Sequence, residues 1–273
     1  MSEPGAPTGR ASTRTIELSG GPVELLDLPA AAGEEQQAPL VLLHEGLGSV
    51  STWRGFPAAL AFATGRRVLA WSRYGYGASG PARLPRRADY LHEEALVVLP
   101  ELLGALGVRR PVLVGHSDGA SIALVHAGAG GGEVDALALL APHVMVEERS
   151  LRGIEAARER FETTDLAARL ARHHADPAGA FWGWNDIWLS PEFRSWNIED
   201  AVEGIRADVL GVQALDDEYG SLEQLERIDA RLGAPMRRLV LADGGHSPHL
   251  SHPDQVVAAV ADLVATSRRP ERA

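Results

Sequence analysis

Short apolar runs alternate along this chain with longer stretches in which apolar positions recur at helical spacing. The runs are Leu40–His44, Arg67–Ser72, Pro111–Val114, Ala136–Ala141, Val209–Leu215 and Arg238–Ala242. The helical stretches are Thr52–Ala63, Asp89–Leu106, the segment after Gly119 to about His126, Leu222–Leu232 and Pro253–Thr266. A short run without polar interruption fits a strand buried on both faces. Strands of that kind separated by helices predict a mostly parallel sheet with helices on both sides, an α/β fold. Ahead of them, Thr15–Leu18 and Val23–Leu28 flank Gly20-Gly21 and predict a two-stranded hairpin.

The alternation stops between Pro142 and about Ala207. Leu151–Phe161 and Asp165–His173 carry helical spacing there, and no clear strand does. An interruption of roughly 65 residues is too long for a plain connection and predicts an inserted helical cap. The expected organisation is a disordered tail at 1–13, a core of 14–142 and 208–266, a cap at 143–207 and a flexible end at 267–273.

Gly115-His116-Ser117-Asp118-Gly119 lies between the strand Pro111–Val114 and a helix through Ala120–Leu124. G-x-S-x-G at a strand-to-helix turn is the pattern of a nucleophile elbow. The serine sits in a strained conformation, and side chains two residues before and after it would collide with the turn. The chain holds 29 glycines, so the five residues alone say little; the strand before and the helix after give them weight. The alternative is a glycine-rich turn in which Ser117 only caps the helix.

Two further motifs fall in order, His44-Glu45-Gly46-Leu47-Gly48-Ser49 after the third strand and Ser72-Arg73-Tyr74-Gly75-Tyr76-Gly77-Ala78-Ser79 after the fourth. With the elbow after the fifth, the series resembles the α/β-hydrolase fold superfamily, in its serine-nucleophile, esterase-like branch with a helical cap after the sixth strand. The resemblance covers about residues 15–266. It implies that Ser117 is the nucleophile and that an acid and a histidine follow in that order. Asp217 matches the acid of a G-x-x-D pattern, with Ala214 at the glycine position; Asp216 is the alternative, and either can cap the helix near Ser221. His246, after Gly244-Gly245, matches the base. His249 is expected at the start of the last helix or on the pocket rim. His246, His249 and His252 also form an H-x2-H-x2-H run, but Pro248 and Pro253 break a shared helical face and no metal is expected. His173-His174 reads as a surface pair.

The same resemblance places the oxyanion donors at the backbone N–H groups of Asp118 and Gly46, with Leu47 as the other register. Glu45 departs from the family, which has glycine there. A carboxylate beside an oxyanion hole must be neutralised or turned away, and Arg73 is the expected partner, giving Glu45 a structural role. Four of six tryptophans, Trp182, Trp184, Trp188 and Trp196, crowd into the interruption. They supply a core for the cap, and Trp182 and Trp188 are expected to wall the substrate pocket with Glu45, Leu47 and His249.

Composition narrows the chemistry. The chain has 273 residues, 45% of them hydrophobic, and a net charge of −11, which disfavours nucleic acid and anionic membranes as partners. Arg83–Arg87, the densest basic stretch, reads as a solvated loop. There is no cysteine, and all 26 basic residues are arginine. Thiol nucleophiles, lysine Schiff bases and a Walker-type lysine are excluded. No apolar run approaches the roughly 20 residues of a membrane span, and no secretory segment is evident, so a cytoplasmic location is expected. The expected function is hydrolysis of a small or medium-sized carboxylic ester without a cofactor. Lactone hydrolysis and carbon–carbon bond hydrolysis use the same triad, and a non-catalytic ligand-binding protein on this fold is the rival of another class. The oligomeric state stays open.

Overall fold

Ser19 and Gly20 close the tight turn of the predicted hairpin, joining β1 (Ser12–Leu18) to β2 (Gly21–Leu28) in antiparallel register. The computed structural model describes residues 11–267. Of the two expected tails, residues 1–10 and 268–273 lie outside the described part, whereas Ser12 and Thr13 are already strand residues. Their backbone groups pair with Asp27 and Leu26, which the polar side chains gave no sign of.

The buried runs form β3 (Leu40–Leu43), β4 (Val68–Trp71), β5 (Val112–His116), β6 (Ala136–Leu140) and β7 (Asp208–Ala214); the last run forms β8 (Arg237–Leu241), which is not buried on both faces, because it is the edge strand and exposes Arg238 and Val240. The eight strands make one sheet in the order β1-β2-β4-β3-β5-β6-β7-β8, parallel from β4 onward. Alternate residues of β3 to β6 enter different cores. Leu40, Leu42, Val112 and Val114 pack with α1 (Phe56–Thr64) and a C-terminal helix at Pro253–Thr266. Val41, Leu43 and Leu113 face the opposite layer. That layer holds α2 (Tyr90–Glu93) and α3 (Leu99–Ala105), joined by a π turn at Glu94–Val98, and α4 (Asp118–Gly128). Two expected helices are thus interrupted: 89–106 by the π turn, and 52–63 by Arg54, whose left-handed backbone (φ 52°) separates a 3₁₀ turn at Val50–Trp53 from α1.

Between β6 and β7 the chain forms α5 (Glu148–Thr163), α6 (Leu166–Leu170), α7 (Pro177–Leu189) and α8 (Glu199–Val202), with a single bridge between Met145 and Asn197. Then come α9 (Leu222–Arg231), α10 (Pro248–Ser251) and α11, the C-terminal helix already named. Among the described residues, no helix is long and apolar enough to cross a membrane. The loops leaving β3, β5, β6, β7 and β8 emerge together at one end of the sheet, the usual place for a site in an open parallel sheet.

Candidate active site

Strand β5 delivers Ser117 into the turn before α4. Its backbone is held at φ 52° and ψ −117°, a conformation that costs a non-glycine residue about 1–3 kcal/mol. The fold compensates locally: Ser117 N donates to Leu140 O at 2.9 Å, tying the elbow to β6. The flanking glycines are there for space. A Cβ on Gly119 would run into the carbonyl of Leu43 at the end of β3, and one on Gly115 would lie 2.6 Å from the Ala120 backbone.

Asp217, fully buried, lies just beyond β7. Its two carboxylate oxygens are each 2.9 Å from Nδ1 of His246, in the loop after β8. The remaining acceptor capacity of Asp217 is met by Tyr219 N at 2.8 Å, Gly220 N at 3.3 Å and Gln213 Nε2 at 2.7 Å. Burial alone would raise the Asp217 pKa; the charge and hydrogen bond of His246, with the Tyr219 N–H, reverse that and hold it below the usual carboxylate range. Asp216, the alternative acid, points elsewhere and accepts from Gly245 N at 2.9 Å, fixing the loop that carries His246.

The loop after β3 departs from expectation at Glu45. Its carboxylate pairs with His116 Nδ1 at 3.3 Å, and not with Arg73. Arg73 is only 1% exposed; it faces Asp118, with Nη1 3.6 Å from Oδ2, and donates from Nη2 to the main-chain carbonyl of Glu45 at 2.9 Å. The reason is reach: the buried aspartate of the elbow takes the guanidinium, and His116, from the adjacent strand, is left to pair with the Glu45 carboxylate. Burial would raise the Glu45 pKa, but the His116 hydrogen bond and charge lower it below its ordinary value. His116 Nε2 also lies 2.6 Å from His246 O, so one ring bridges the elbow, the β3 loop and the β8 loop. Neither Gly46 N–H nor Asp118 N–H has an acceptor among the described residues.

Ser117, His246, Glu45, Gly46 and Leu47 line a cavity of about 90 Å³. Its remaining wall is His143, Tyr219, Ser150 and Ile154 of α5, and Trp184 and Trp188 of α7. Two expected wall residues are elsewhere. Trp182 packs on Phe161 and Phe181, with ring centroids 5.5 and 5.1 Å away, because it lies two residues from Trp184 on the opposite face of α7. His249 is buried behind His116 between Trp53 and Phe56, and burial drives its pKa down to about 3. The expected surface pair also divides. His173 is bonded to Ser51 Oγ, while His174 is buried, accepting from Gly77 N at 3.1 Å and bonded through Nε2 to Leu47 O at 3.0 Å. It thereby fastens the inserted helices to the β3 loop. In the basic stretch, Arg86 is half-buried and lies over the Tyr76 and Tyr90 rings rather than in solvent. Of the residues that sequence reasoning missed, Trp184 was findable, since it is four residues from Trp188 and shares its face. His116, His143 and Tyr219 carry no sequence signal beyond their closeness to motif residues.

Comparison with known proteins adds the lineage. The sequence profile described as "Alpha/beta hydrolase family" matches residues 40–259. The chain belongs to the alpha/beta hydrolase family. Over 90 residues it is 38% identical to the RutD protein of Stutzerimonas stutzeri (strain A1501), whose name proposes carbamate hydrolysis; the match takes in 33% of this chain. The chain spans about a third of the length of the curated relatives it matches, 32% and 28%. Among solved structures, an esterase from Exiguobacterium antarcticum superposes with a TM-score of 0.71 at 18% identity, over 93% of this chain and all (100%) of that one. The enol-lactonase of Burkholderia xenovorans LB400 does so with a TM-score of 0.70 at 18% identity, over 92% of this chain and 100% of the other. At those identities the likeness is one of fold.

Proposed function

We propose that this alpha/beta hydrolase is a serine hydrolase that cleaves small carboxylic esters through an acyl-enzyme, with Ser117, His246 and Asp217 as its triad and residues 143–207 as a cap over the site. The observation that carries the reading is the His246–Asp217 pair, 2.9 Å from Nδ1 to each carboxylate oxygen, with His246 lining the same cavity as a serine held at positive φ. A carboxylate on Nδ1 keeps the Nε2 lone pair free to act as a base.

In the first half-reaction His246 Nε2 takes the Ser117 hydroxyl proton as Oγ attacks the carbonyl carbon. The negative charge that develops on the carbonyl oxygen is met by the Gly46 and Asp118 N–H groups. The tetrahedral intermediate collapses, the imidazolium gives its proton to the leaving alkoxide, and the alcohol departs. In the second half-reaction His246 deprotonates water, which attacks the acyl carbon; collapse returns the proton to Ser117 Oγ and releases the acid. Asp217 stays ionised throughout, orienting the imidazole and stabilising its cation.

A cavity of about 90 Å³ walled by Trp184, Trp188 and Ile154 fits a short acyl group. The test is a hydrolysis panel of short and long acyl esters, lactones, carbamates and vinylogous diketones, with Ser117→Ala as control. Short esters are expected to turn over fastest, and Ser117→Ala to remove that turnover. Turnover confined to lactones or diketones would move the substrate class; turnover surviving in Ser117→Ala would overturn the mechanism.

A further inference from the structure

The peptide unit joining Glu45 to Gly46 is held by its oxygen. Glu45 O accepts from His44 Nδ1 at 2.7 Å, Arg73 Nη2 at 2.9 Å and Gly48 N at 3.1 Å. The proton on His44 is fixed by its surroundings: Nε2 accepts from Arg73 N at 3.0 Å, and burial keeps the His44 pKa well below its ordinary value, so the neutral ring carries its hydrogen on Nδ1. A carbonyl oxygen has two lone pairs, so three donors saturate it. In a planar trans peptide the C=O and N–H bonds point in opposite directions. Fixing Glu45 O therefore fixes the direction of Gly46 N–H.

We propose that Arg73 is a positioning residue for the oxyanion hole: its guanidinium grips the Glu45 carbonyl, turns the Gly46 N–H toward Ser117 and polarises it. The proposal rests on the serine-hydrolase reading. A charged donor makes the stronger kind of hydrogen bond, and donors on an amide oxygen strengthen the N–H of that amide as a donor in turn. Arg73 also reaches the residue that carries the second donor. Its Nη1 faces Asp118 Oδ2 at 3.6 Å, and Asp118 supplies the other oxyanion N–H. The same carboxylate oxygen accepts from Tyr90 Oη at 2.8 Å, and Trp188 Nε1 of the cavity wall donates to Tyr90 Oη at 3.0 Å. One buried cation thus touches both the Glu45 carbonyl and the Asp118 carboxylate. Neutralising Asp118 would use only Nη1; the Nη2 contact to Glu45 O is the part that neutralisation leaves unexplained.

Arg73→Lys tests this. Lysine keeps a cation for Asp118, but one ammonium cannot span both Asp118 Oδ2 and Glu45 O. Tyr90→Phe is the control, since it weakens the same buried network without touching the Glu45 carbonyl. The readouts are kcat and KM on the best ester of the panel, Tm, and inhibition by a trifluoromethyl ketone of matching chain, whose hemiketal oxyanion on Ser117 occupies the hole. Arg73→Lys is expected to lose roughly 10²–10³-fold in kcat, with KM within about threefold and the ketone weakened by a comparable factor. Tyr90→Phe is expected to lower Tm and keep kcat within about fivefold. A folded Arg73→Lys that retains kcat, or loses turnover through KM with ketone affinity unchanged, overturns the proposal, as does an equal kcat loss in Tyr90→Phe. If Arg73→Lys does not fold, His44→Gln removes a donor from the same oxygen and must show the same split, at about tenfold; its absence overturns the proposal too. A wild type that reacts with neither ester nor ketone sinks the serine-hydrolase reading instead.

Discussion

The protonation state of one imidazole governs the proposed chemistry. Burial pushes the His246 pKa down, but the Asp217 carboxylate, through charge and hydrogen bond, overrides burial and leaves it above its ordinary value. A base works in its neutral form, so kcat/KM is expected to fall as pH drops through that raised pKa. Asp217→Asn removes the charge that raises it and supports the wrong tautomer. Turnover should drop roughly 10³–10⁴-fold, and the acid limb of the pH profile should move to lower pH. Asp216→Asn, which removes a surface charge and keeps an oxygen for Gly245 N, should cost less than about tenfold and leave the limb in place. A limb that moves with Asp216 and not with Asp217 would reassign the acid. Adjacent aspartates could not be separated by sequence spacing alone, because the distinction lies in the direction each takes after β7. Asp217 turns inward onto Gln213, Tyr219 N and His246, while Asp216 stays at the surface.

At the scale of elements, α7 contributes two tryptophans to the cavity wall. Trp184 and Trp188, one helical turn apart, face Ser117, and Trp182 faces the α5 side chains. A side chain on Gly46 would strike Trp184, so that ring lies directly over the loop after β3. Trp184→Ala should open the cavity and raise the ratio of octanoate to butanoate kcat/KM by about tenfold or more, read on a p-nitrophenyl ester series. Trp182→Ala should lower Tm and leave the ratio alone; a shifted ratio there would show that the wall has been assigned to the wrong face. The inner strands β3 to β6 were legible because they are short and apolar throughout, whereas their order in the sheet, with β4 between β2 and β3, is set by crossovers that periodicity does not record. Helix interruptions were not legible either. The π turn at Glu94–Val98 and the break at Arg54 depend on tertiary packing and on one backbone conformation, neither of which leaves a periodic trace.

Across the whole molecule, the motifs made the separate loops readable and left the contacts between them dark. Ser117, Asp217, His246 and Gly46 each stand at the end of a recognisable strand. That Arg73 would grip the Glu45 carbonyl, that His116 would take its carboxylate, and that His174 would clasp Leu47 from the inserted helices are facts of three-dimensional reach. With the contact of His116 to His246 O, they link β3, β4, β5, the β8 loop and the α6–α7 segment, elements up to 130 residues apart in sequence. Such cross-links are what give an elbow of ordinary sequence a specific electrostatic setting. They also concentrate the account on a single atom, Ser117 Oγ. The most direct measurement is the intact mass of the protein after exposure to a fluorophosphonate. One adduct on the wild type, mapped to Ser117 and abolished in Ser117→Ala, is the predicted result. An unmodified wild type, or an adduct that persists in Ser117→Ala, would contradict the assignment of Ser117 as the nucleophile.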